Sequence, residues 1–340
     1  MPEWKLPGDI QMRAVTKALS EVVDWGATWM GVDRLWARSE GKGIKVAVLD
    51  TGVDAGHPDL DGAILDAADF SGSRWGFDDR QSHGTWCAGY IAAKRGNSIG
   101  VVGVAPKSLL LVGKVLGDNG TGSDRAIEAG IRWADNRDAD IISMSLGGST
   151  AMPGVLDAIR QFLAGRPGRC VVCAAGNDGH DQDTVGYPAR YQETVSVAAL
   201  DRNGNLTSFS SYNNQVTIAG PGLEMLSTIP RAAGSYGLMS GTSMATPAVA
   251  GVLALALAKH HDAPGMTPMD TPEAIKKHLA ETAKKVNGVP VIAPDALINE
   301  PTVVQPVLAG VDGWIAGVLR QIGYKVSVPG VKGDLFSVKR

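Results

Sequence analysis

Six apolar runs limit what this chain can fold into: residues 44–50 (IKVAVLD), 108–116 (SLLLVGKVL), 140–146 (DIISMSL), 169–175 (RCVVCAA), 194–200 (TVSVAAL) and 215–220 (QVTIAG). A strand that is apolar at nearly every position, rather than at alternate ones, is buried on both faces, and that happens in parallel sheets covered by helices. Stretches with helical spacing lie between several of the runs, at 123–136 and 154–164. Strand, helix and strand in repetition predict an α/β fold with a doubly wound, mostly parallel sheet and helices on both faces. With 340 residues the chain has room for such a body and for extensions at either end.

In open α/β sheets, ligands and chemistry collect at the carboxyl ends of the strands. Asp50 closes the first run there, ahead of Thr51-Gly52. His83 stands in QSHGTWCAGYIAA, where Gly84 permits close backbone approach and the following residues predict a helix start. Ser243 lies in GTSMATP, directly before a small and apolar run to Ala258 that predicts a buried helix. A serine in that position either caps the helix or acts as a nucleophile beside free backbone N–H groups and the positive end of the helix dipole. One Asp-Thr-Gly alone does not make an aspartic protease, which needs two carboxylates. Asp50, His83 and Ser243 together supply an orienting carboxylate, a general base and a nucleophile, in one of the three chain orders known for this triad. Asn177, in AAGN just past a strand end, is the candidate side-chain donor for an oxyanion.

These motifs resemble the subtilisin family of serine proteases: VAVLDTGVDAGHPDL around Asp50, SHGT around His83, SMSLGG at 143–148, AAGN ending at Asn177 and GTSMATP around Ser243. KVLG with NGTG, ISMSLGG and VVCAAGN are most similar to its intracellular branch. The resemblance spans residues 24–290. It leaves an N-terminal extension, 1–23, and a C-terminal tail, 291–340, with helical spacing at 311–322. The family usually carries histidine at the positions of Trp86 and Ala248, so the chain departs from it there, outside the triad.

The resemblance implies a serine endopeptidase that works through an acyl-enzyme on Ser243, with proteins or peptides as substrates. It implies a peptide cleft between Gly120-Thr121-Gly122 and Ser145-Leu146-Gly147, where substrate adds as a strand. The pocket for the residue before the scissile bond is expected between Ser145–Gly147 and Ala174-Ala175-Gly176. Gly186 lies at its base and Asp178 at its rim, and large apolar side chains are favoured. It also implies a structural calcium ion and no catalytic cofactor. The calcium would be held by the Asn97 side chain, the Asp59 carboxylate and the carbonyls of Arg95, Ile99 and Val101, with Glu21 as an extra ligand. Intracellular relatives carry a short apolar-proline element across the cleft, so residues 3–9, with Leu6-Pro7, are expected to dock there as an inhibitor. A catalytically silent peptide-binding protein and a peptide ligase or macrocyclase are the competing functions on the same fold.

Composition removes other classes. A formal net charge of −3 leaves no basic footprint for nucleic acid. The N-terminal stretch lacks the apolar core of a secretory signal, and the run 248–258 is too short for a bilayer span, which together predict a cytoplasmic protein without a membrane segment. Cys170 and Cys173, three apart on a strand, point to opposite faces, which opposes a disulfide or shared metal and predicts free thiols. The apolar spacing at 311–322 predicts a tail helix or a homodimer contact.

Overall fold

The computed structural model describes residues 4–7, 12–15, 20–262 and 269–298. Its centre is a nine-stranded sheet. In spatial order the strands are Lys284–Val286, Val289–Val291, Ile218–Pro221, Val195–Leu200, Cys170–Ala174, Ile141–Met144, Lys45–Asp50, Leu109–Lys114 and Ile64–Asp69. All neighbours pair in parallel except the terminal hairpin Lys284–Val286 with Val289–Val291. The six apolar runs all became strands of this sheet.

Period-two alternation divides each strand between two cores. Val46, Val48, Cys170 and Val172 face the cluster that contains the helices His83–Ala92 and Thr242–Asp262. Ala47, Leu49, Val171 and Cys173 face the other, which contains Asp124–Asn136 and Pro153–Gly165. The two cysteines therefore lie on opposite sides of the sheet, both free. The helix Thr242–Asp262 is apolar all round and, by length and composition, passes for a membrane span, but 94% of its apolar window is buried inside the protein, as a core helix is.

Lys45–Asp50 comes first of the sheet strands in the chain yet lies between Leu109–Lys114 and Ile141–Met144. The chain builds one wing of the sheet from it and then returns to build the other. This reversal opens a crevice at the carboxyl ends of Lys45–Asp50 and Ile141–Met144.

Several local expectations needed correction. The apolar anchors Met30, Val32, Leu35 and Trp36 predict one helix over 25–39, but the chain forms a short helix, Trp25–Trp29, and a 3-10 turn, Val32–Arg34, because Gly31 between them takes a φ of 73°. Residues 272–286 read as one helix, but the helix Pro272–Thr282 ends early and Lys284–Val286 joins the sheet edge. Ile10, Ala14, Val15, Ala18, Leu19 and Val22 recur at helical spacing and predict a short helix, part of which lies outside the described residues. Where the chain is described it is extended: Arg13–Ala14 pairs with Gly237–Leu238, and Val22–Val23 with Val101–Val102. The compact unit continues through Val289–Val291 and Pro294–Ile298, past the boundary at 290. The tail helix at 311–322, with its homodimer contact, lies outside the described residues.

Trp86 and Ala248 share the larger core. Trp86 donates from Nε1 to the Gly237 carbonyl at 3.0 Å and stacks on Tyr90. Tyr90 in turn donates to the buried Asp24, which caps Trp25–Trp29 through the Gly26 N–H. Burial raises the pKa of the Asp24 carboxyl, against the pull of these donors.

Candidate active site

Three elements deliver the triad to the crevice. Asp50 ends its strand fully buried, and its Oδ1 accepts from His83 Nδ1 at 2.8 Å and from the Thr51 N–H at 2.7 Å. His83 opens the helix His83–Ala92. The approach is close at Gly84, where a Cβ would stand 2.2 Å from the Gly52 carbonyl oxygen, so a side chain there would push the helix off the strand end. Burial opposes a charged imidazolium at His83, but the Asp50 carboxylate more than offsets it and holds the ring's pKa well above the ordinary 6.5.

Asp79 is a residue that motif reading missed. The helix N-cap, Ser82, has a φ of 81° and makes no side-chain cap. Asp79 does the capping instead: Oδ2 accepts from the Thr85 N–H and hydroxyl, and Oδ1 from the Gln81 and Ser82 N–H groups and the Thr51 hydroxyl. Thr51 follows Asp50 and Ser82 precedes His83, so one buried carboxylate fixes the two catalytic residues relative to each other. Burial pushes the Asp79 carboxyl up while its donors pull the other way. The sequence signal was an acidic pair, Asp78-Asp79, just ahead of a helix start.

Ser243 sits in the first turn of Thr242–Asp262, near the positive end of the helix dipole. Pro247, four residues on, has no N–H to give to the Ser243 carbonyl. That carbonyl instead accepts from Ser145 Oγ at 2.8 Å, which anchors the nucleophile's backbone to the end of the strand Ile141–Met144. The Ser243 hydroxyl donates to the Ser145 carbonyl at 3.3 Å. His83 Nε2 is buried with no hydrogen-bond partner among the described residues. Cys87 Sγ lies 3.8 Å from His83 Nδ1, and burial pushes its thiol up, so it packs as a neutral group.

Asn177 is oriented by its own amide: Oδ1 accepts from the Thr242 N–H and hydroxyl, which leaves Nδ2 directed into the cleft. Nδ2 donates to the Pro7 carbonyl at 2.7 Å. The segment Trp4–Pro7 lies in the peptide cleft expected from the sequence. Trp4 and Lys5 pair antiparallel with Gly122 and Thr121, Leu6 N–H donates to the Gly120 carbonyl, and Lys5 exchanges both backbone bonds with Gly147. Leu146 is buried in the same cluster as Trp4 and Leu6.

Beyond Pro7 a cleft of about 500 Å³ continues, lined in part by Gly147, Ala174, Ala175, Gly176, Asp178 and Gly186. A Cβ at Gly186 would meet the Gly148 carbonyl at 3.2 Å and narrow it. The Tyr187-Pro188 bond is cis. Asp183 and Arg190, paired through two bonds of 2.8 and 2.9 Å, also line this cleft and had no sequence signal of their own.

The loop 95–101 folds over the buried Asp59. Asn97 Nδ2 donates to Asp59 Oδ1 at 2.7 Å, and the Val101 N–H donates to Oδ2 at 2.9 Å. Asn97 Oδ1 accepts from the Ile99 N–H at 3.1 Å, so the amide turns its nitrogen, not its oxygen, to Asp59, and the side-chain oxygen facing this loop's interior is the Asp59 carboxylate. Asp59 fits a hard cation there and the Asn97 amide does not. Glu21 fits less well than Asp59. Its Oε2 accepts from the N–H groups of Gly96, Asn97 and Ser98, so it clasps the donor side of the loop.

A parallel sheet with a carboxylate, an imidazole and a hydroxyl at its switch point, and an amide donor opposite, defines a serine peptidase of the Asp-His-Ser order. The subtilase family profile matches residues 41–303, and the chain belongs to that family. It is 45% identical over 237 residues to the intracellular serine protease of Paenibacillus polymyxa, covering 68% of this chain and 71% of that protein. It is 44% identical over 230 residues to the major intracellular serine protease of Bacillus subtilis strain 168, covering 65% and 70%. Thermitase of Thermoactinomyces vulgaris is 38% identical over 264 residues, covering 78% and 89%.

The arrangement can carry acyl transfer once the Ser243 hydroxyl turns from the Ser145 carbonyl to His83 Nε2. His83, oriented by Asp50, would then take the Ser243 proton as the hydroxyl attacks the peptide carbonyl. Asn177 Nδ2 and the helix start are the donors available to an oxyanion, and His83 would then protonate the leaving amine. Water repeats the sequence on the acyl-enzyme.

Proposed function

We propose that this peptidase is a cytoplasmic endopeptidase of broad specificity whose own segment Trp4–Pro7 restrains it. The observation that supports the reading is the hydrogen bond from Asn177 Nδ2 to the Pro7 carbonyl, the contact expected of the carbonyl before a scissile bond.

The register supports an inhibitory role. Lys5 pairs with Gly147, so two residues on, Pro7 falls opposite Ser145. An ordinary residue at that place would donate its N–H to the Ser145 carbonyl, and proline has none. The Ser243 hydroxyl takes that carbonyl instead, and His83 Nε2 is left without its partner. A tethered segment also acts at an effective concentration on the order of millimolar, so modest affinity suffices.

The room beyond Pro7, with Ala174, Ala175 and Val185 in its walls, supports a preference for large apolar side chains before the scissile bond. Calcium, held by Asp59 and the carbonyls of Arg95, Ile99 and Val101, would brace the loop that supports Val22–Val23. The cytoplasmic assignment rests on the two relatives named intracellular.

The test is deletion of residues 1–7, which keeps Arg13–Ala14 in its sheet. Initial rates on a small chromogenic peptide should rise, and N-terminal sequencing of the full chain should show a cut after Pro7 or within 8–24 as activity appears. Equal initial rates with an uncut N-terminus refute the inhibitory reading.

A further inference from the structure

Lys114 is among the largest side chains that the fold buries completely. It ends the strand Leu109–Lys114, where the register sets it beside Asp50. Leu110 and Val112, like Val46 and Val48, face the cluster that holds the helix His83–Ala92, and period two therefore puts Lys114 and Asp50 on that same face. The Lys114 ammonium donates to the Thr51 carbonyl at 2.5 Å and pairs with Asp118 Oδ1 at 3.1 Å. Burial opposes charge on Asp118, but the Lys114 ammonium, the Ser73 hydroxyl and Arg80 more than offset it and hold its carboxyl below the usual carboxylate range. The other polar groups of Thr51 are engaged as well: its N–H donates to Asp50, and its hydroxyl donates to Asp79 and accepts from the Gly84 N–H. Thr51 follows Asp50 and Asp118 leads into the cleft edge at Gly120, so Lys114 joins the triad strand to the edge where substrate adds.

Stability does not explain a buried ammonium, because replacing a buried ion pair with apolar side chains is often neutral or stabilising. An apolar side chain could not hold the Thr51 carbonyl, and it would bring no positive charge to this face. We propose that Lys114 is a positioning residue for catalysis: it locks the peptide that follows Asp50 to the cleft edge, and its charge counters the field of the Asp50 carboxylate at His83. The base must be neutral to take the Ser243 proton, and Asp50 by itself favours the imidazolium. The other titratable groups around the pair do not supply that counterweight. Cys87 is a neutral thiol, and the Asp79 carboxyl is engaged by the donors of Thr51, Gln81, Ser82 and Thr85. Arg80 is exposed and paired with Asp78.

The test is an NMR titration of His83 in the full chain, labelled at histidine and carrying Ser243→Ala, with the signal assigned by its loss in His83→Gln. In Lys114→Met the midpoint should rise by about half to one pH unit, because a cation is lost and Asp118 is left uncompensated. In Asp118→Asn it should fall, because the ammonium is then the uncompensated charge. A pair that only staples the fold moves neither midpoint. With Ser243 intact and active sites counted by a serine-reactive phosphonate, the acid limb of kcat/KM on a chromogenic peptide should shift in the same two directions. On the alkaline plateau, where His83 is neutral in every variant, Lys114→Met should stay about tenfold slower through displacement of Asp50. Unmoved midpoints, or a Lys114→Met plateau equal to the parent's, overturn the proposal. If Lys114→Met does not fold, Asp118→Asn decides, since it keeps the bond to Thr51: a lowered midpoint supports the proposal and an unmoved one overturns it.

Discussion

Replacing Asp79 with asparagine tests the claim that one carboxylate sets the spacing of the Asp50–His83 pair. The substitution is isosteric, so it leaves no cavity, and its effect is confined to hydrogen bonding. In the better amide orientation the remaining oxygen keeps the Gln81 and Ser82 N–H groups and the Thr51 hydroxyl. The NH2 then faces the Thr85 N–H and hydroxyl. The hydroxyl can turn to accept, but the buried N–H cannot, and an unsatisfied buried donor costs about 1–3 kcal/mol. The bonds that survive change from charged to neutral acceptors, which brings the expected loss to about 2–4 kcal/mol. Stability is best measured by urea unfolding in a Ser243→Ala background, where self-digestion cannot intrude. In the active enzyme, displacement of His83 should lower kcat/KM about tenfold to a hundredfold on a chromogenic peptide. An unfolding midpoint that coincides with the parent's, together with unchanged kcat/KM, would refute the role given to Asp79.

Ser243→Ala, His83→Ala and Asp50→Ala should each abolish most turnover without additivity, because they act as one unit, and double variants no slower than singles check this. Asn177→Leu should lose roughly 10²- to 10³-fold in kcat, the loss established for the corresponding donor of subtilisin itself, with little change in KM. Activity needs neutral His83, and Asp50 raises its pKa, so kcat/KM should fall with acid along a limb centred above pH 6.5. A limb centred below that value would contradict the assigned coupling. Calcium at about 100 times its Kd should stabilise the fold by roughly 2.7 kcal/mol. Chelator should therefore lower the Tm, and Asp59→Ala should remove that sensitivity, while an unaltered Tm on chelation would exclude the site.

What the sequence determined by itself was whatever a local pattern encodes. Unbroken apolar runs fixed the parallel strands, and the short motifs around Asp50, His83, Asn177 and Ser243 fixed the chemistry, because each sits at a strand end or helix start that its own neighbours dictate. The tertiary structure decided what depends on partners distant in the chain. Residues 10–22 are apolar at helical spacing, yet Arg13–Ala14 and Val22–Val23 are extended, because exposed strand edges at Gly237–Leu238 and Val101–Val102 offer backbone bonds that outweigh a weak local preference. Asp79 and Asp124 read as ordinary surface acids in the sequence. Only folding brings Asp79 between Thr51 and Thr85, and Asp124 beneath Trp4, 120 residues away. A carboxylate's role is set by the donors that reach it, and here those donors arrive from separate parts of the chain.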